Sequence, residues 1–553
     1  MVSRTPSRRS FLRLGGASLA AAVIAPHAFD SPAVTGPRPR LLSARPGGIT
    51  LLSSLDNRYI VDRATLLAAP DASVVIQDAI DAAAADGIPT VELPPGDPGD
   101  YLCHSAVHLR GRSLIGVGTT LTVASAIPAR ALLNASGITS GTKAPLDEDH
   151  GSGSSRIRIP GELRGSVAAG TVLAIEARVQ TTGPATTGTS QQGWAFEMHQ
   201  VDRVRGPFAY LDEPLIWNYP VAAGARAFII QPVRDFTIEG IRITATDAHA
   251  QPIRGVLVRE AIRPTVDVSL LEAGGGVLIL NSMHSTIRAQ VDTLPRYYDQ
   301  FGYGVAVAGA SAHATAEVNG GGCRHLFTTL ADERPGSSGG ANEQWGDPRH
   351  LVVRGSGWAG ADSLAVWDTH PYGYDITFDG CSTHGGGTNA AGFQVRNRNV
   401  ALAQCSSTSA GNVAARLAPG EASNARITGG SFTGAGRAGI GLAAGCSIFG
   451  ATIRGNGEAG VIVNDESSQA TVANCLIDGN AGFGIQDQSS GQHAGVVIEQ
   501  NTIPYSDTQY LGVLLPKSDM IIRENHFRDF ASVDAAIYQP GPNVQIVNNT
   551  AGA

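Results

Sequence analysis

The chain has 553 residues and a formal net charge of −8, and charged residues make up only 16% of it. Hydrophobic residues account for 42%, which is enough for a large core and excludes a charge-rich disordered chain. Glycine is abundant, at 68 residues, but no Gly-X-Y period is present, which excludes collagen. The small acidic excess leaves no basic footprint for nucleic acid. This composition favours a long β structure with closely stacked strands.

The N-terminus predicts an export signal. Residues 7–13 read Ser-Arg-Arg-Ser-Phe-Leu-Arg, which resembles the bacterial twin-arginine signal. The apolar run at 14–25 that follows is shorter than the ~20 residues that a membrane-spanning helix needs, and small residues near its end suit cleavage. We therefore expect a signal peptide over residues 1–28, a lead-in over 29–73, and a secreted protein that is exported already folded. The alternative is an uncleaved N-terminal anchor.

A helix is predicted at the entrance of the folded part. Residues 74–85 place apolar side chains at helical spacing, and Val-Glu-Leu-Pro-Pro-Gly follows at 91–96. This helix and the strand and turn after it resemble the opening of the pectate-lyase-like superfamily of carbohydrate-active β-helices. Residues 194–220 also resemble a segment common in such proteins and in phage capsule depolymerases. The resemblance covers about residues 70–553 and implies a β-helix whose open end is capped by the helix.

From residue 350 onward the chain divides into short repeats with two strands each. Landmark positions at 357, 381, 405, 431, 452, 475, 502, 526 and 550 are separated by 21 to 27 residues. Such short strands with no intervening helix predict an all-β fold, a right-handed parallel β-helix, as a single domain over residues 74–553. A leucine-rich repeat lacks its consensus here, and a propeller needs ~40–45 residues per blade.

Ladders inside the solenoid are also predicted. Asn474, Asn501, Asn525 and Asn549 fall at one turn position, where stacked amides can hydrogen-bond from coil to coil. The six cysteines have no zinc-ligand spacing. Cys381, Cys405 and Cys475 are expected in one interior ladder. All six cysteines are interpreted as structural, and their disulfide state is left open. The cysteines are Cys103, Cys323, Cys381, Cys405, Cys446 and Cys475.

The candidate site lies on the second strand of the middle coils. Inward side chains of a β-helix build its core, so function has to lie on outward positions. The late copies of this strand are bland, whereas the middle copies carry Arg324, His325, Asp368, His370 and Arg396. Coils one or two rungs apart are only ~5–10 Å apart. We therefore expect these five side chains to share an exposed patch in a chain that is otherwise poor in charge.

Arginine and histidine in one patch favour β-elimination from a uronate-containing polysaccharide. An arginine neutralises the uronate carboxylate and acidifies the adjacent C–H, and a histidine or tyrosine removes that proton. Asp368 could orient His325 or His370. The bland alternative is that Asp368 and His370 cap a turn while Arg396 pairs with Asp368 at the surface. A polysaccharide lyase is accordingly the first interpretation.

Two further functions stay open. A glycoside hydrolase or an intramolecular glycosyltransferring enzyme needs two carboxylates, ~5–9.5 Å apart; Asp368 supplies one, and Asp362, Glu260 and Glu343 are the candidate partners. The third option is a non-catalytic carbohydrate-binding β-helix. No run of aspartates supplies the six to eight oxygens of a Ca²⁺ site, so no metal ligand is assigned, although related lyases use Ca²⁺.

Aromatic and polar residues around the patch are candidate sugar contacts. Exposed rings stack on sugar faces, and the candidate substrate-binding residues are Tyr297, Tyr298, Trp367, His384 and Arg398. The expected partner is therefore a polysaccharide or oligosaccharide. The sequence leaves the oligomeric state open.

Overall fold

The computed structural model describes residues 51–53, 57–127, 129–181, 193–248, 253–295, 302–334, 343–361, 363–418, 424–464, 468–489, 495–514, 519–538 and 540–552. The predicted signal peptide, most of the predicted lead-in, Tyr297, Tyr298 and Asp362 lie outside the described residues. No helix in the described part of the chain is long and apolar enough to cross a membrane.

Two long sheets of stacked parallel strands run through the described part of the chain. Sheet 1 has 24 strands and sheet 2 has 14, and one antiparallel pairing occurs in sheet 1, between its first two strands. The strands of sheet 1 are Leu51–Ser53, Arg58–Val61, Thr90–Leu93, Gly96–Cys103, Ser113–Val123, Thr237–Ala245, Thr265–Leu271, Thr286–Asp292, Thr315–Gly321, Arg349–Arg354, Ser356–Trp358, Tyr374–Asp379, Ser382–His384, Arg398–Ala403, Ser406–Thr408, Arg426–Thr428, Ser431–Thr433, Ser447–Phe449, Thr452–Arg454, Thr471–Ala473, Leu476–Asp478, Val496–Glu499, Met520–Arg523 and Gln545–Val547. The strands of sheet 2 are Val107–His108, Ala131–Ser136, Arg254–Arg259, Val277–Leu280, Tyr303–Ala308, His325–Leu330, Ala365–Asp368, Ala391–Val395, Val413–Leu417, Ala438–Leu442, Ala459–Val463, Phe483–Asp487, Leu511–Leu514 and Ile537–Tyr538. The predicted all-β, parallel β-helix is confirmed.

Alternating apolar residues build the solenoid. In Thr265–Leu271 every second side chain is buried, which is the period of a strand with one face on a core. A single apolar cluster extends from Tyr59 to Ile537, because each coil adds its inward side chains to those of its neighbours. Each coil is thus held mainly by the coil before and the coil after it.

An antiparallel sheet interrupts the expected run of coils. This insertion sheet has nine strands within the described residues and its own apolar cluster. Its strands are Ile138–Thr139, Ala144–Pro145, Arg156–Arg158, Val172–Gln180, Gly193–Arg205, Phe208–Leu211, Arg226–Gln231, Asp332–Arg334 and Glu343–Trp345. The segment at 194–220, which resembles one in other β-helix proteins, belongs to this sheet. Two-stranded pairings complete the strands: Val233–Arg234 with Ala261–Ile262, and His526–Arg528 with Thr550–Gly552.

The predicted entrance helix is present. It spans Ala72–Ala85, begins at the N-cap Asp71, whose side chain accepts from the Ser73 N–H, and buries one face that includes Ile76 and Ile80. That face joins the solenoid core, as a cap over an open β-helix end requires. The remaining helices of the described residues are short: Arg63–Ala68, Val533–Ala536 and the 3₁₀ turns Gly161–Leu163 and Val221–Ala223.

The observed register corrects the predicted repeat by single residues. Ser382 pairs with Ser356 and with Ser406, so the landmarks at 357, 381, 405 and 475 each lie one residue from the common row, whereas those at 431, 452, 502, 526 and 550 lie in it. A slip of one residue moves a side chain to the other face of a sheet. The repeat length therefore predicted where each coil lies in the sequence, but it did not predict the direction of every side chain.

Polar ladders stabilise the late coils. The amide of Asn501 donates to Asn525 at 3.0 Å, and that of Asn525 donates to Asn549 at 3.0 Å, as predicted. Asn474 is not part of this ladder, because its amide donates to Gln500 instead and Cys475 occupies the ladder position, with its N–H on Asn501. A second ladder, which the sequence analysis missed, joins Asn456, Asn480 and Gln509.

The six cysteines are buried free thiols. Burial raises the pKa of Cys103 and of Cys323 to about 12, so these thiols are protonated and unreactive at neutral pH. Cys381 and Cys405 lie in neighbouring coils, one residue before the paired Ser382 and Ser406. The predicted structural role of the cysteines agrees with this arrangement.

Candidate active site

A row of side chains on the outer face of sheet 2 changes character along the solenoid. Its register runs through Leu257, Leu278, Ala306, Thr328, Asp368, Gln394, Arg416, Gly441, Ile462, Gln486 and Leu514. The early members belong to an apolar cluster with Tyr303 and Leu330. Ile462, near the other end, belongs to another apolar cluster. Four consecutive polar members lie between these two clusters, in the coils where the sequence predicts the candidate site. They are Thr328, Asp368, Gln394 and Arg416.

Seven side chains meet at this polar stretch and form the site cluster. They are Tyr303, Arg324, His325, Thr328, Asp368, His370 and Arg396. The five predicted catalytic residues are therefore brought together. Their catalytic roles stay predictions.

Asp368 is the centre of the site cluster and is 0% exposed. One of its oxygens, Oδ2, accepts the Thr328 hydroxyl at 2.7 Å and lies 3.0 Å from His370 Nδ1. Arg396 Nη2 lies 3.1 Å from Oδ1 and 3.0 Å from Oδ2. Burial alone would raise the pKa of Asp368, but the charge of Arg396 and the two nearby imidazoles hold it well below its usual range. Asp368 is thus a fixed carboxylate anion.

His370 is oriented as a proton acceptor. Its Nδ1 lies 2.7 Å from the Thr328 hydroxyl oxygen and 3.0 Å from Asp368 Oδ2. Because the Thr328 hydroxyl donates to Asp368, Nδ1 carries the proton in these contacts, and the lone pair of the neutral ring is on Nε2. Burial, followed by the charge of Arg396, lowers the pKa of His370 below 6.5. The ring is therefore neutral at neutral pH, and its side chain is 16% exposed.

His325 lies beneath this pair. Its Nδ1 donates to the Ala365 carbonyl at 2.9 Å, and its Nε2, 3.8 Å from Asp368, has no hydrogen-bond partner among the described residues. Burial lowers its pKa to about 3. The prediction of an exposed patch is wrong for His325 and for Asp368, whose side chains are 2% and 0% exposed. His325 packs against the rings of Tyr303 and His370 rather than contacting a ligand directly.

Tyr303 covers both imidazoles. Its ring stacks on His325 at 5.5 Å between centroids and meets His370 edge-on at 5.7 Å. Burial raises the pKa of Tyr303 above 10, so its hydroxyl is protonated at neutral pH. Arg324 lies over the other side of the ring, with its guanidinium carbon 5.5 Å from the centroid.

The two arginines of the site cluster have different surroundings. Arg396 is occupied by Asp368 and by the Thr369 carbonyl, which accepts from Nε at 3.0 Å. The predicted alternative, a pair between Arg396 and Asp368, is therefore observed, but its carboxylate is buried rather than at the surface. Arg324 Nε has no hydrogen-bond partner among the described residues. Of the two arginines, Arg324 is therefore the one whose guanidinium has unused N–H donors.

Of three predicted aromatic contacts, the structure describes only Trp367. Trp367 is in the core, where it stacks on Phe393 and its indole N–H donates to the Ser382 carbonyl at 3.1 Å. The prediction that Trp367 is an exposed ring is wrong because it is on the inward side of the strand that carries Asp368. Tyr297 and Tyr298, also predicted as sugar contacts, lie outside the described residues.

His384 and Arg398 belong to sheet 1, so their predicted place in the patch is wrong. His384 ends the strand Ser382–His384 and pairs with Trp358. Arg398 donates to the Thr181 carbonyl and lies over the Trp217 ring at 5.0 Å, where it ties a solenoid coil to the insertion sheet. The chain turns from sheet 2 to sheet 1 after Arg396, which separates residues that are close in sequence.

Two of the carboxylates considered as partners of Asp368 have contacts of their own elsewhere. Glu260 accepts from Thr139 and is four coils away, roughly 19 Å at the spacing of stacked strands. Glu343 belongs to the insertion sheet and pairs with Arg178 at 2.7 Å. At the spacing of stacked strands, Glu260 is too far from Asp368 for the ~5–9.5 Å separation of a glycosidase pair.

Sequence reasoning did not assign Tyr303 and Thr328 to the site. Thr328 follows three apolar members of its row, Leu257, Leu278 and Ala306, and this change to a polar residue is the signal that could have found it. Tyr303 pairs directly with His325 in register. Aligning the strand at Tyr303 with the next coil would have placed its ring on that histidine.

Ligand atoms of His325, Asp368 and His370 lie within 4.8 Å of one another and could hold a metal ion. Arg396 bonds both oxygens of Asp368, and a second guanidinium, Arg324, lies nearby. These positive charges oppose a cation at this place.

A groove begins where the strands of the site cluster start. It has a volume of about 540 Å³, and its walls include Thr293, Cys323, Trp358 and Ser363. Cys323, one of the lining residues, directly precedes Arg324 in the sequence. Trp358, which is half-buried, contributes an aromatic wall.

Comparison with known proteins agrees with the fold. The family model described as the right handed beta helix region matches residues 371–505 and 459–552. The tailspike Gp54 of Acinetobacter baumannii bacteriophage AP22, solved in complex with an A. baumannii capsular saccharide, is 12% identical, with 88% of this chain and 77% of that one covered at a TM-score of 0.54. The tailspike gp49 of Pseudomonas phage LKA1 is 16% identical, with 80% and 75% covered at a TM-score of 0.54. No curated protein matches the sequence. At such identities the likeness establishes the fold, a right-handed parallel β-helix.

Proposed function

We propose that this protein is a polysaccharide lyase that cleaves a uronate-containing glycan by β-elimination at the site cluster. The observation that carries the proposal is the pair of Asp368 and His370. A buried carboxylate 3.0 Å from Nδ1 fixes the tautomer of an imidazole whose pKa is lowered, which produces a neutral base at neutral pH.

The remaining groups have roles that fit elimination. Arg324, which has donors to spare, binds the uronate carboxylate and acidifies the C5–H bond. His370 Nε2 takes the C5 proton, and the electron pair of that bond forms the C4–C5 double bond as the C4–O bond breaks. Tyr303, kept protonated by its raised pKa, donates a proton to the leaving oxygen. His325 and Thr328 hold the rings and the carboxylate in place.

The products separate this chemistry from its rivals. A panel of uronate-containing and neutral glycans is incubated with the protein, and products are followed by mass spectrometry and by the ultraviolet absorbance of an unsaturated uronate. Elimination gives unsaturated ends whose mass equals that of the parent minus the saturated fragment, with no water added. Cleavage with addition of water contradicts the lyase and favours a glycoside hydrolase. Binding without any product favours a carbohydrate-binding β-helix.

We further propose export by the twin-arginine route, on the basis of residues 7–13. Replacing Arg8 and Arg9 by Lys is expected to strand folded precursor in the cytoplasm, as measured by fractionation. Wild-type export of the Lys variant contradicts this route. The lyase proposal does not depend on the outcome.

A further inference from the structure

A second cluster of chemistry-bearing side chains lies where the insertion sheet meets the turns of the solenoid. His284, His313 and His350 occupy the same turn position in three successive coils, with φ angles of 56°, 56° and 54°. Their rings stack with centroids 5.0 Å apart at each step. The bridges from Met283 to Ala312 and from Ala312 to Arg349 keep this ladder in register.

A carboxylate from the insertion sheet faces the ladder. Glu213 lies after the strand Phe208–Leu211, and its Oε1 contacts His313 Nε2. Its Oε2 lies 4.0 Å from His350 Nε2. The ligand atoms of these three residues all lie within 4.8 Å of one another. Their side chains are 29% to 31% exposed, so solvent and ions have access to them.

The proton arrangement leaves a lone pair pointing at a carboxylate. His350 Nδ1 lies 2.7 Å from Asp375 Oδ2, and a carboxylate only accepts, so Nδ1 carries the proton of the neutral ring. Its Nε2 is then a bare acceptor that faces Glu213, another acceptor. At the 4.0 Å between Nε2 and Glu213 Oε2, a cation can bridge the two acceptors.

The local charge favours a cation. The guanidinium of Arg349 lies 4.0 Å from Glu213 Oε2, but the carboxylates of Asp212, Glu213 and Asp375 outnumber it in this region. Asp375 holds a ligand histidine through its second nitrogen, which is the usual arrangement behind metal-binding imidazoles.

We propose that Glu213, His313 and His350 form a divalent transition-metal site of the zinc class that clamps the insertion sheet to the solenoid. Two imidazole nitrogens and one carboxylate oxygen are a recurrent zinc set, and hard oxygen-preferring ions such as Mg²⁺ and Ca²⁺ are poorly served by it. Glu213 comes from the insertion, and both histidines come from solenoid turns. Bound metal therefore adds a direct link between the two parts.

The test is metal binding by the full-length protein without an affinity tag. After chelation and dialysis, zinc and cobalt are titrated by calorimetry, cobalt coordination is followed by its visible absorption, and the melting temperature is measured with zinc, magnesium or calcium. We expect one metal ion per chain, a higher melting temperature with zinc alone, and loss of binding in Glu213→Gln and His350→Gln. His526→Gln is the matched control, because His526 is a late-coil histidine that contacts Thr550, and it should bind as wild type does.

Asp375→Asn provides a graded readout if a ligand variant fails to fold. It leaves all three ligands in place and should weaken zinc binding by roughly 10–100-fold. Absence of stoichiometric binding in the wild type contradicts the proposal. So do binding that survives both Glu213→Gln and His350→Gln, and unchanged affinity in Asp375→Asn.

Discussion

The central coils of this solenoid contain the sheet 2 strands His325–Leu330 and Ala365–Asp368, and the late coils contain those from Ala438–Leu442 onward. The two regions share one backbone fold and differ in the side chains on their outer face. At the same register position, the central coils hold Thr328 and Asp368, whereas the late coils hold Gly441 and Ile462. Ile462 belongs to an apolar cluster with Ala438 and Ala459. The core beneath both regions is continuous, so core packing does not distinguish them. The repeat provides equivalent positions in every coil, and the chemistry of a coil depends on which side chains occupy a few of those positions.

One ion pair from each region shows a second difference. In the central coils Asp368 is fully buried while it pairs with Arg396, and in the late coils Arg454 pairs with Asp478 with side chains 66% and 21% exposed. The first pair has a large desolvation cost, which the further hydrogen bonds of Asp368 and Arg396 offset. The second is an ordinary surface pair. The following variants test this contrast between the central and the late coils.

Removing the proton donor should have the largest effect. Tyr303→Phe keeps the ring on His325 but loses the hydroxyl, and we expect kcat to fall by ~10²–10⁴-fold with little change in KM or in melting temperature. Tyr510→Phe in the late coils, where the ring of Tyr510 packs edge-on against Phe483, is the control and should behave as wild type. Equal kcat in both variants contradicts the role of Tyr303.

Neutralising the buried carboxylate should destabilise the fold. Asp368→Asn leaves Arg396 without its anion, and we expect the free energy of unfolding in denaturant to fall by about 3–5 kcal/mol. The comparison variant Asp478→Asn should cost no more than about 1 kcal/mol. If the two substitutions cost the same, the distinction between buried and surface pairs fails.

The carboxylate-binding arginine should act on a smaller scale. Arg324→Gln removes charge-assisted hydrogen bonds worth ~1.5–3 kcal/mol, so kcat/KM for a uronate substrate should fall by roughly 10–100-fold. A neutral glycan should show no such loss. A loss confined to melting temperature, with kcat/KM unchanged, would mean that Arg324 only packs on Tyr303.

Between neutral and mildly alkaline pH the rate should hardly change. The base His370 has to be deprotonated, and because its pKa is lowered, the acid limb of kcat/KM should lie below pH 6.5. The acid Tyr303 has to be protonated, and because its pKa is raised, the alkaline limb should lie above pH 10. Either limb inside this window contradicts the assignment of base and acid.

The sequence predicted the solenoid and its entrance helix because a 21- to 27-residue repeat and an amphipathic segment depend on local pattern alone. The insertion sheet was not predicted. Within the described residues its one parallel strand pairing joins Gly193 to Gln344, and no short-range pattern reveals a contact between such distant segments.

Site prediction had a different limit. Asp368, His370 and Arg396 were predicted to meet because stacked coils bring equivalent positions together. Trp367 was misassigned because strand neighbours point to opposite faces. His384 was misassigned because the direction of a turn cannot be derived from repeat length. Burial of His325 depends on the ring of Tyr303 in the preceding coil, which pairwise alignment of strands did not include.

The central claim is that elimination occurs on the central coils with His370 as the base, and one measurement tests it most directly. Formation of unsaturated product from a uronate glycan is compared for wild type, His370→Ala and His384→Ala. The two histidines are close in sequence, but His370 follows the sheet 2 strand Ala365–Asp368, whereas His384 ends a strand of sheet 1. The account predicts a ~10²–10⁴-fold loss for His370→Ala and wild-type rates for His384→Ala. Unchanged product formation in His370→Ala, or an equal loss in both variants, would contradict it.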